Sequence, residues 1–310
     1  MSLYFIKSGL QTSVQDCGRS GQMHNGISNS GAMDPIAMKL SNWLLSKPLD
    51  SAVIEVTLVG PKIQFENDMY IAITGAKFEL YLNNQLIFNN KAIQIFTGDV
   101  LTFGTLQCGA RAYIATSIDI DVAKLFNSYS THLTVNFGGF YGRSLKKGDI
   151  LALHLPKQKC LYTNTLPKYV DNGYSGSYIL RCTSSVETDL FTQRQQNDFS
   201  SKKYTVTANS NRMGIRLKEV AMGFEKPIDI TSSGLMQGSI QITPSGLPII
   251  SSVDGQTIGG YPRIANVITA DLAMLGQLKA NDKVNFMLIS NEKAIEVLKE
   301  QYQILNFLYK

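Results

Sequence analysis

Apolar positions along the chain gather mostly in short runs closed by Gly, Asn or Asp, with little helical spacing. β-Branched and aromatic residues dominate these runs. Ala52 to Val59, Met69 to Thr74, Val100 to Phe103, Ala112 to Thr116, Tyr204 to Thr207, Ser239 to Ile242 and Lys283 to Ile289 are each expected to form a strand. Three breaks share one design. Phe96-Thr97-Gly98-Asp99, Lys146-Lys147-Gly148-Asp149 and Lys279-Ala280-Asn281-Asp282 each lead through a Gly-Asp or Asn-Asp step into a new strand, as hairpin and barrel corners do.

Helices are expected to be few. Asp34 can cap free amides while Pro35 takes the first helical position, predicting a helix to about Ser46 with Ile36, Leu40, Trp43 and Leu44 on its apolar face. A second is predicted after Thr269, with Asp271 near its amino end and Leu272, Leu275 and Leu278 at helical spacing. A third, amphipathic, is predicted over Asn291 to Leu308. The stretch from Pro156 to Gly176 carries no period and marks a boundary, giving halves of residues 1–160 and 175–310. Each half holds a strand leading into an Arg-x-Gly turn, Arg19-Ser20-Gly21 and Arg212-Met213-Gly214, which is compatible with two related β-barrels.

A chain of 310 residues, 44% apolar and 17% charged, has room for two packed domains. The net charge of +5 is scattered rather than gathered into a patch, which argues against nucleic acid as a partner. Cys17, Cys108, Cys160 and Cys182 form no CxxC pair, so neither a zinc site nor a redox dithiol is expected, and the thiols are read as reduced and mostly buried. No stretch has the length of a signal peptide or membrane span, so a cytoplasmic protein with no membrane partner is expected.

No nucleophile elbow, Walker loop, HExxH or Rossmann fingerprint is present, and His24, His132 and His154 are not at metal-ligand spacing. What stands out is glycine beside polar side chains. Gln15-Asp16-Cys17-Gly18-Arg19-Ser20-Gly21 and Gly26-Ile27-Ser28-Asn29-Ser30-Gly31-Ala32-Met33-Asp34 combine close backbone approach with a helix start, which suits an anion or amide ligand. Two tight turns and an N-cap account for the same residues equally well. Asp254-Gly255-Gln256-Thr257-Ile258-Gly259-Gly260-Tyr261-Pro262-Arg263 brings an acid, an amide, a hydroxyl, a phenol and a guanidinium around a Gly-Gly bend, with a surface loop as the simpler reading. Ala37-Met38-Lys39-Leu40 echoes a biotinylation site, but Lys39 falls inside a predicted helix rather than at a hairpin tip, so no covalent biotin is expected on this chain.

Motifs in both halves carry a resemblance. Thr12-Ser13-Val14-Gln15-Asp16-x-Gly18-Arg19-x-Gly21, Ser30-Gly31-Ala32-Met33-Asp34-Pro35, Glu55-Val56-Thr57-Leu58-x-Gly60-Pro61 and Gly138-Gly139-Phe140-x-Gly142-Arg143 lie in the first half. Arg212-Met213-Gly214-x-Arg216-Leu217, Gly238-Ser239-Ile240-Gln241 and Gln256-Thr257-x-Gly259-Gly260-Tyr261-Pro262 lie in the second. Together they resemble, in order and over nearly the whole chain, the family that comprises the C subunit of 5-oxoprolinase, KipI antagonists, allophanate hydrolase subunit 2 and biotin-dependent carboxyltransferases.

The resemblance implies two tandem cyclophilin-like β-barrel subdomains. It further implies a complex with the KipI-like B subunit of 5-oxoprolinase and with the A subunit of the same enzyme. That complex opens 5-oxo-L-proline to L-glutamate at the expense of ATP. A carboxyltransferase acting on urea or a related amide, and a regulatory protein that binds a KipI-like kinase inhibitor, are the alternatives. Within this reading Asp16, Arg19, Asp34, Arg212, Asp254 and Arg263 are candidate catalytic residues, the arginines for anionic oxygen and the acids for protons or orientation. Gln15, Ser30, Gly31, Gln256, Thr257, Gly259, Gly260 and Tyr261 are candidate substrate-binding residues, and no metal is expected. Asn211, Ser233, Gly255 and Arg263 depart from the family pattern of Asp, Glu, Arg and Lys. An arginine beside a glycine turn is expected outside the core, so Arg19 is expected to matter little to folding.

Overall fold

The computed structural model describes residues 1–155, 164–167, 173–219, 222 and 230–309. Most of the unpatterned boundary stretch, and Cys160, lie outside them. The chain divides into two compact units, Met1–Ser20 with Ser30–Tyr174, and Gly21–Asn29 with Ser175–Lys310.

The first unit is built from β1 (Ser2–Lys7), β2 (Gln11–Gln15), α1 (Pro35–Leu44), β3 (Val53–Thr57), β4 (Lys62–Phe65), β5 (Met69–Leu82), β6 (Gln85–Ile87), β7 (Ala92–Ile95), β8 (Val100–Thr116), β9 (Asp119–Ile120) and β10 (Ile150–His154). Its ten-stranded sheet runs β2-β3-β8-β4-β1-β10-β9, with β5 branching off β8 and carrying β6 and β7. This corrects the expectation of two barrels, because the first sheet does not close. The physical reason lies in β8. The runs expected as separate strands at Val100 and Ala112 are one strand of 17 residues, long enough to pair with β3, β4 and β5. The long β5–β8 ribbon bends through register shifts after Gly75, where φ is +83° and a Cβ would stand 2.5 Å from the Arg111 carbonyl oxygen.

Helix α1 begins as expected, with Pro35 at its first turn and the Asp34 carboxylate accepting from the Ala37 amide. It ends at Leu44, short of Ser46. Ala37, Met38 and Leu44 are buried with Ala72, Tyr113 and Ala115 of the β5–β8 ribbon, while Ile36 and Trp43 are only half-buried. Lys39 sits within this helix.

The second unit contains β11 (Ser177–Ser184), α2 (Gln193–Ser201), β12 (Tyr204–Val206), β13 (Gly214–Lys218), β14 (Ser233–Gly234), β15 (Ser239–Ile242), β16 (Pro248–Ser251), β17 (Ile258–Gly259), β18 (Arg263–Val267), β19 (Lys283–Leu288) and α3 (Asn291–Ile304). Seven strands close a barrel in the order β11-β18-β15-β16-β13-β12-β19, and the parallel pairing of β11 with β19 completes the ring. Strands β14 and β17 form a separate two-stranded ribbon. The sequence reading missed α2, although its capping box was visible: Thr192 accepts from the Gln195 amide and Gln195 from the Thr192 amide. Phe199 of α2 is fully buried and stacks on Phe286 at 4.4 Å between ring centroids. Thr269–Gln277 is a 3-10 helix, and α3 gives way after Ile304 to a 3-10 turn over Asn306–Tyr309.

The three expected corners share one geometry. Gly98, Gly148 and Asn281 have φ of +92°, +88° and +74°, and the amides of Phe96, Lys146 and Lys279 donate to Asp99, Asp149 and Asp282 at 2.8, 2.6 and 3.0 Å. Each aspartate amide donates back across its turn, at 3.0, 3.1 and 3.1 Å. Asp149 also holds Arg143 through both carboxylate oxygens, which keeps its carboxyl below the usual range. Replacing Asp99, Asp149 or Asp282 with Ala should cost about 1 kcal/mol each, by analogy with lost side-chain caps, and Asp149→Ala the most. Thermal unfolding checks this, and three unchanged melting temperatures would contradict it.

Candidate functional site

In the first unit the polar residues beside glycine turn inward. Asp16 is 4% exposed, and its carboxylate accepts from the Gly18 amide (2.8 Å), the Tyr129 amide (2.6 Å), the Ser128 hydroxyl (2.7 Å) and the Ser130 hydroxyl. Gln15 is fully buried, and its side-chain amide donates to Ser13 Oγ at 2.9 Å and the Thr131 carbonyl at 3.0 Å. Arg19 donates to the Ser130 carbonyl and lies 5.0 Å from the centre of the Phe137 ring. It is completely buried, contrary to the expectation from its neighbouring glycine. The reason is the Gly-Gly segment packed over it: at Gly138, φ is +69° and a Cβ would stand 2.7 Å from Arg19 Nη2.

Ser30 and Gly31 both have positive φ, at +53° and +88°, and a Cβ on Gly31 would stand 2.8 Å from the Gly18 amide nitrogen. Asp34 is spent on its helix, and its amide donates to the Tyr113 hydroxyl at 2.7 Å. That hydroxyl in turn donates to Glu55 at 2.8 Å, and Glu55 also accepts from the Met33 amide at 2.8 Å. Burial, then the Glu55 and Asp34 carboxylates, push the Tyr113 phenol far above its usual range, which keeps it a donor. Neither Tyr113 nor Glu55 was among the candidate site residues, although Glu55 opens a family motif and is an acid inside an otherwise apolar strand. Of the first-half candidates, Asp16 borders a cavity of about 300 Å³ that also holds Cys17, Asp50, Asp119 and His154. Among the described cysteines Cys17 is exposed, Cys108 half-exposed, and Cys182 buried as expected.

In the second unit a groove of about 820 Å³ gathers Gln256, Thr257, Gly259, Gly260 and Tyr261 on one side, with Gly26 from the first glycine-rich segment. Its floor is the outward face of three adjacent barrel strands. Gly214 pairs with Ser251, Arg216 with Ile249, and Ile249 with Gln241, so all five point the same way while Ile215, Leu217, Ile240 and Ile250 fill the core. The β14–β17 ribbon supplies part of the wall, since the Thr257 carbonyl accepts from the Leu235 amide at 2.9 Å and Ile258 and Gly259 belong to β17. A Cβ on Gly259 would stand 2.6 Å from the Gln241 side-chain amide nitrogen.

The other candidates of this half do not line the groove. Arg212 and Asp254 are 3% and 2% exposed and bind each other through two hydrogen bonds, at 2.8 and 3.1 Å. Arg263 forms a double contact with Glu187 and also reaches the Gly234 carbonyl and Ser233 Oγ, at 2.7 and 2.8 Å. Ser233 and Arg263, both departures from the family pattern, therefore touch each other, and the carboxylate that balances Arg263 comes from Glu187. Asn211, a third departure, lines the groove; Gly255, the fourth, is packed so that a Cβ would stand 2.6 Å from Ser251 Oγ. Arg216, quoted in a family motif but not among the candidate site residues, is the one charged side chain among the described residues lining the groove. Strand alternation after Gly214 was the signal. Among the described residues no group of three or more metal-ligating side chains gathers, and no helix is long and apolar enough to cross a membrane.

A closed barrel joined in one chain with an open β-sheet unit is a fold found in a solved domain class. The chain belongs to the carboxyltransferase domain, subdomain A and B, family, whose model matches residues 25–288. It is 32% identical over 299 residues to the C subunit of 5-oxoprolinase from Escherichia coli, covering 96% of this chain and 95% of that protein. It is 34% identical over 315 residues to urea amidolyase of Lachancea kluyveri, covering 94% of this chain but 17% of that protein. The crystal structure of the K. lactis urea amidolyase superposes with a TM-score of 0.91 and 30% identity, over 99% of this chain and 20% of that one. The chain thus spans about a fifth of the urea amidolyases and nearly the whole of the 5-oxoprolinase relative.

Two outcomes are expected, one of the buried Arg19 and one of the half-buried Glu187. Arg19→Ala should cost roughly 2 to 5 kcal/mol, as removal of a large, fully packed side chain does, and should be read as a lowered melting temperature. Glu187 is held below its ordinary pKa of 4.5, first by its hydrogen bonds with Arg263. A depressed carboxyl stabilises the fold above that ordinary value, and the contribution is lost as pH falls through the lower folded value. Glu187→Gln should therefore be about 1 to 2 kcal/mol less stable than wild type near neutrality, with the gap closing as the pH falls below the ordinary carboxylate range. A gap independent of pH would show that the pair does not contribute through its charge.

Proposed function

We propose that the chain acts as the C subunit of an ATP-dependent 5-oxoprolinase, assembling with the A and B subunits to open 5-oxo-L-proline to L-glutamate, with the groove of the second unit holding the substrate. One observation carries this reading. Five of the eight residues selected from sequence for substrate binding, Gln256, Thr257, Gly259, Gly260 and Tyr261 but not Gln15, Ser30 or Gly31, lie together on one groove of a chain that matches the 5-oxoprolinase relative along nearly its whole length. A planar lactam offers a carbonyl acceptor and an N–H donor, and the groove offers matching hydroxyl, amide and backbone groups. A five-membered lactam is a poor electrophile, and phosphorylation of its oxygen at the expense of ATP supplies a leaving group.

On this reading residues 1–160 and 175–310 are the two halves of one carboxyltransferase-like domain, the second a closed barrel, and the setting is cytoplasmic. Arg212 with Asp254, and Arg263 with Glu187, act as positioning pairs that set the loops around the groove, and Asp16, Arg19 and Asp34 do the same for the first unit. The likeness to urea amidolyase supports a second reading, a carboxyltransferase that moves a carboxyl group from carboxybiotin carried by another chain or domain to urea or a related amide.

The discriminating assay is ATP hydrolysis dependent on 5-oxoproline, with the A and B subunits in the presence and absence of this chain. Hydrolysis should require all three, and Thr257→Val and Gly259→Ala should each raise KM by about 10-fold with an unchanged melting temperature. Full activity of the A and B subunits without the chain would refute the assignment, and urea-dependent turnover with a biotin carboxylase and its carrier would establish the second reading.

A further inference from the structure

The groove carries one kind of charge. Its described lining consists of glycines, apolar residues, hydroxyls, side-chain amides, the Tyr261 phenol and a single ionised group, the Arg216 guanidinium. No carboxylate among the described residues lies at ion-pair distance from Arg216, in contrast to Arg212 and Arg263, each held by its own acid. The backbone of Arg216 is fixed in β13, where its amide donates to the Ser210 hydroxyl at 3.0 Å and its Cα faces Ile249. The side chain is exposed and sits on the row that continues across the barrel face to Gln241. A concave wall of low polarizability concentrates the field of such a charge on whatever occupies the groove.

We infer that Arg216 is the anion anchor of this groove, and that the ligand taken there is a small planar amide bearing a carboxylate rather than a neutral amide. The guanidinium presents a planar fork of donors that matches a carboxylate, while Gln241, Asn211 and Thr257 are left for the amide portion. A neutral ligand would leave the charge to water and gain nothing from it. The inference rests on the groove being the substrate site of the proposed function. It goes further by naming the residue of this groove that meets the carboxylate of the ligand.

The test uses the chain in complex with the A and B subunits, as wild type, Arg216→Gln and Arg216→Lys. Calorimetry measures binding of 5-oxo-L-proline, its neutral carboxamide and urea, and ATP hydrolysis is followed in parallel. Wild type should prefer the carboxylate to its carboxamide by roughly 10- to 100-fold, the range of a hydrogen-bonded charge. R216Q should bind both equally, R216K should keep part of the preference, and melting temperatures should not move. Loss of the preference on raising salt would accompany it. A preference that survives in R216Q, equal binding of the two ligands by wild type, or no binding of 5-oxoproline at all would overturn the inference. Binding of the carboxylate that depends on Arg216 without any ATP turnover would leave the anchor standing and remove the proposed reaction. Turnover that is indifferent to R216Q would do the reverse.

Discussion

A charge withdrawn from water must meet an opposite charge or a set of oriented dipoles, and this requirement decides what each polar group in the chain can do. Asp16 meets it with two backbone amides and two serine hydroxyls, and so ties the end of β2 to residues 128–130. Arg212 and Asp254 meet it with each other, and the Asp254 amide adds a bond to the Arg212 carbonyl at 2.9 Å. Arg263 meets it with Glu187 and, through the Gly234 carbonyl and Ser233, pins β14 and with it the ribbon that walls the groove. Groups so completely engaged hold loops in place. Arg216 stands apart because it is exposed and faces a groove whose described lining brings no carboxylate to it.

The groove follows from strand alternation on a closed barrel. Every second residue of β13, β15 and β16 fills the interior, which leaves Gly214, Arg216, Gln241, Ile249 and Ser251 on the outer face in one register. Glycine shapes what stands above them, since at Gly259 a side chain would enter the space of the Gln241 amide. The family's shared architecture thus provides a rigid floor, and variation in the loops above it can change the ligand without disturbing the barrel.

Much was legible in the sequence because it is written in short range. The Gly-Asp and Asn-Asp corners, the Asp34-Pro35 helix start and most strand cores depend on backbone preferences and local hydrogen bonds, and they appear at or near the expected residues. The family motifs were legible for the same reason, since each is a run of adjacent residues, and the second-half motif with Gln256, Thr257 and Tyr261 does line one groove. Alternation alone did not separate an interrupted pair of strands from the continuous β8, because the residues between its two apolar runs are acceptable in either.

Composition and local pattern by themselves determined a chain rich in strands with few helices, punctuated by turns whose residues permit positive φ. Tertiary structure alone decided that the first sheet stays open while the second closes, because closure depends on pairing between strands as remote as β11 and β19. It also decided the roles of the arginines. Arg19 is buried by residues 130 to 138, Arg263 is claimed by Glu187, 76 positions away, and Arg216 is left open to the groove. Whether a charge is spent or available depends on which partner the fold brings to it, and that partner is distant in the chain.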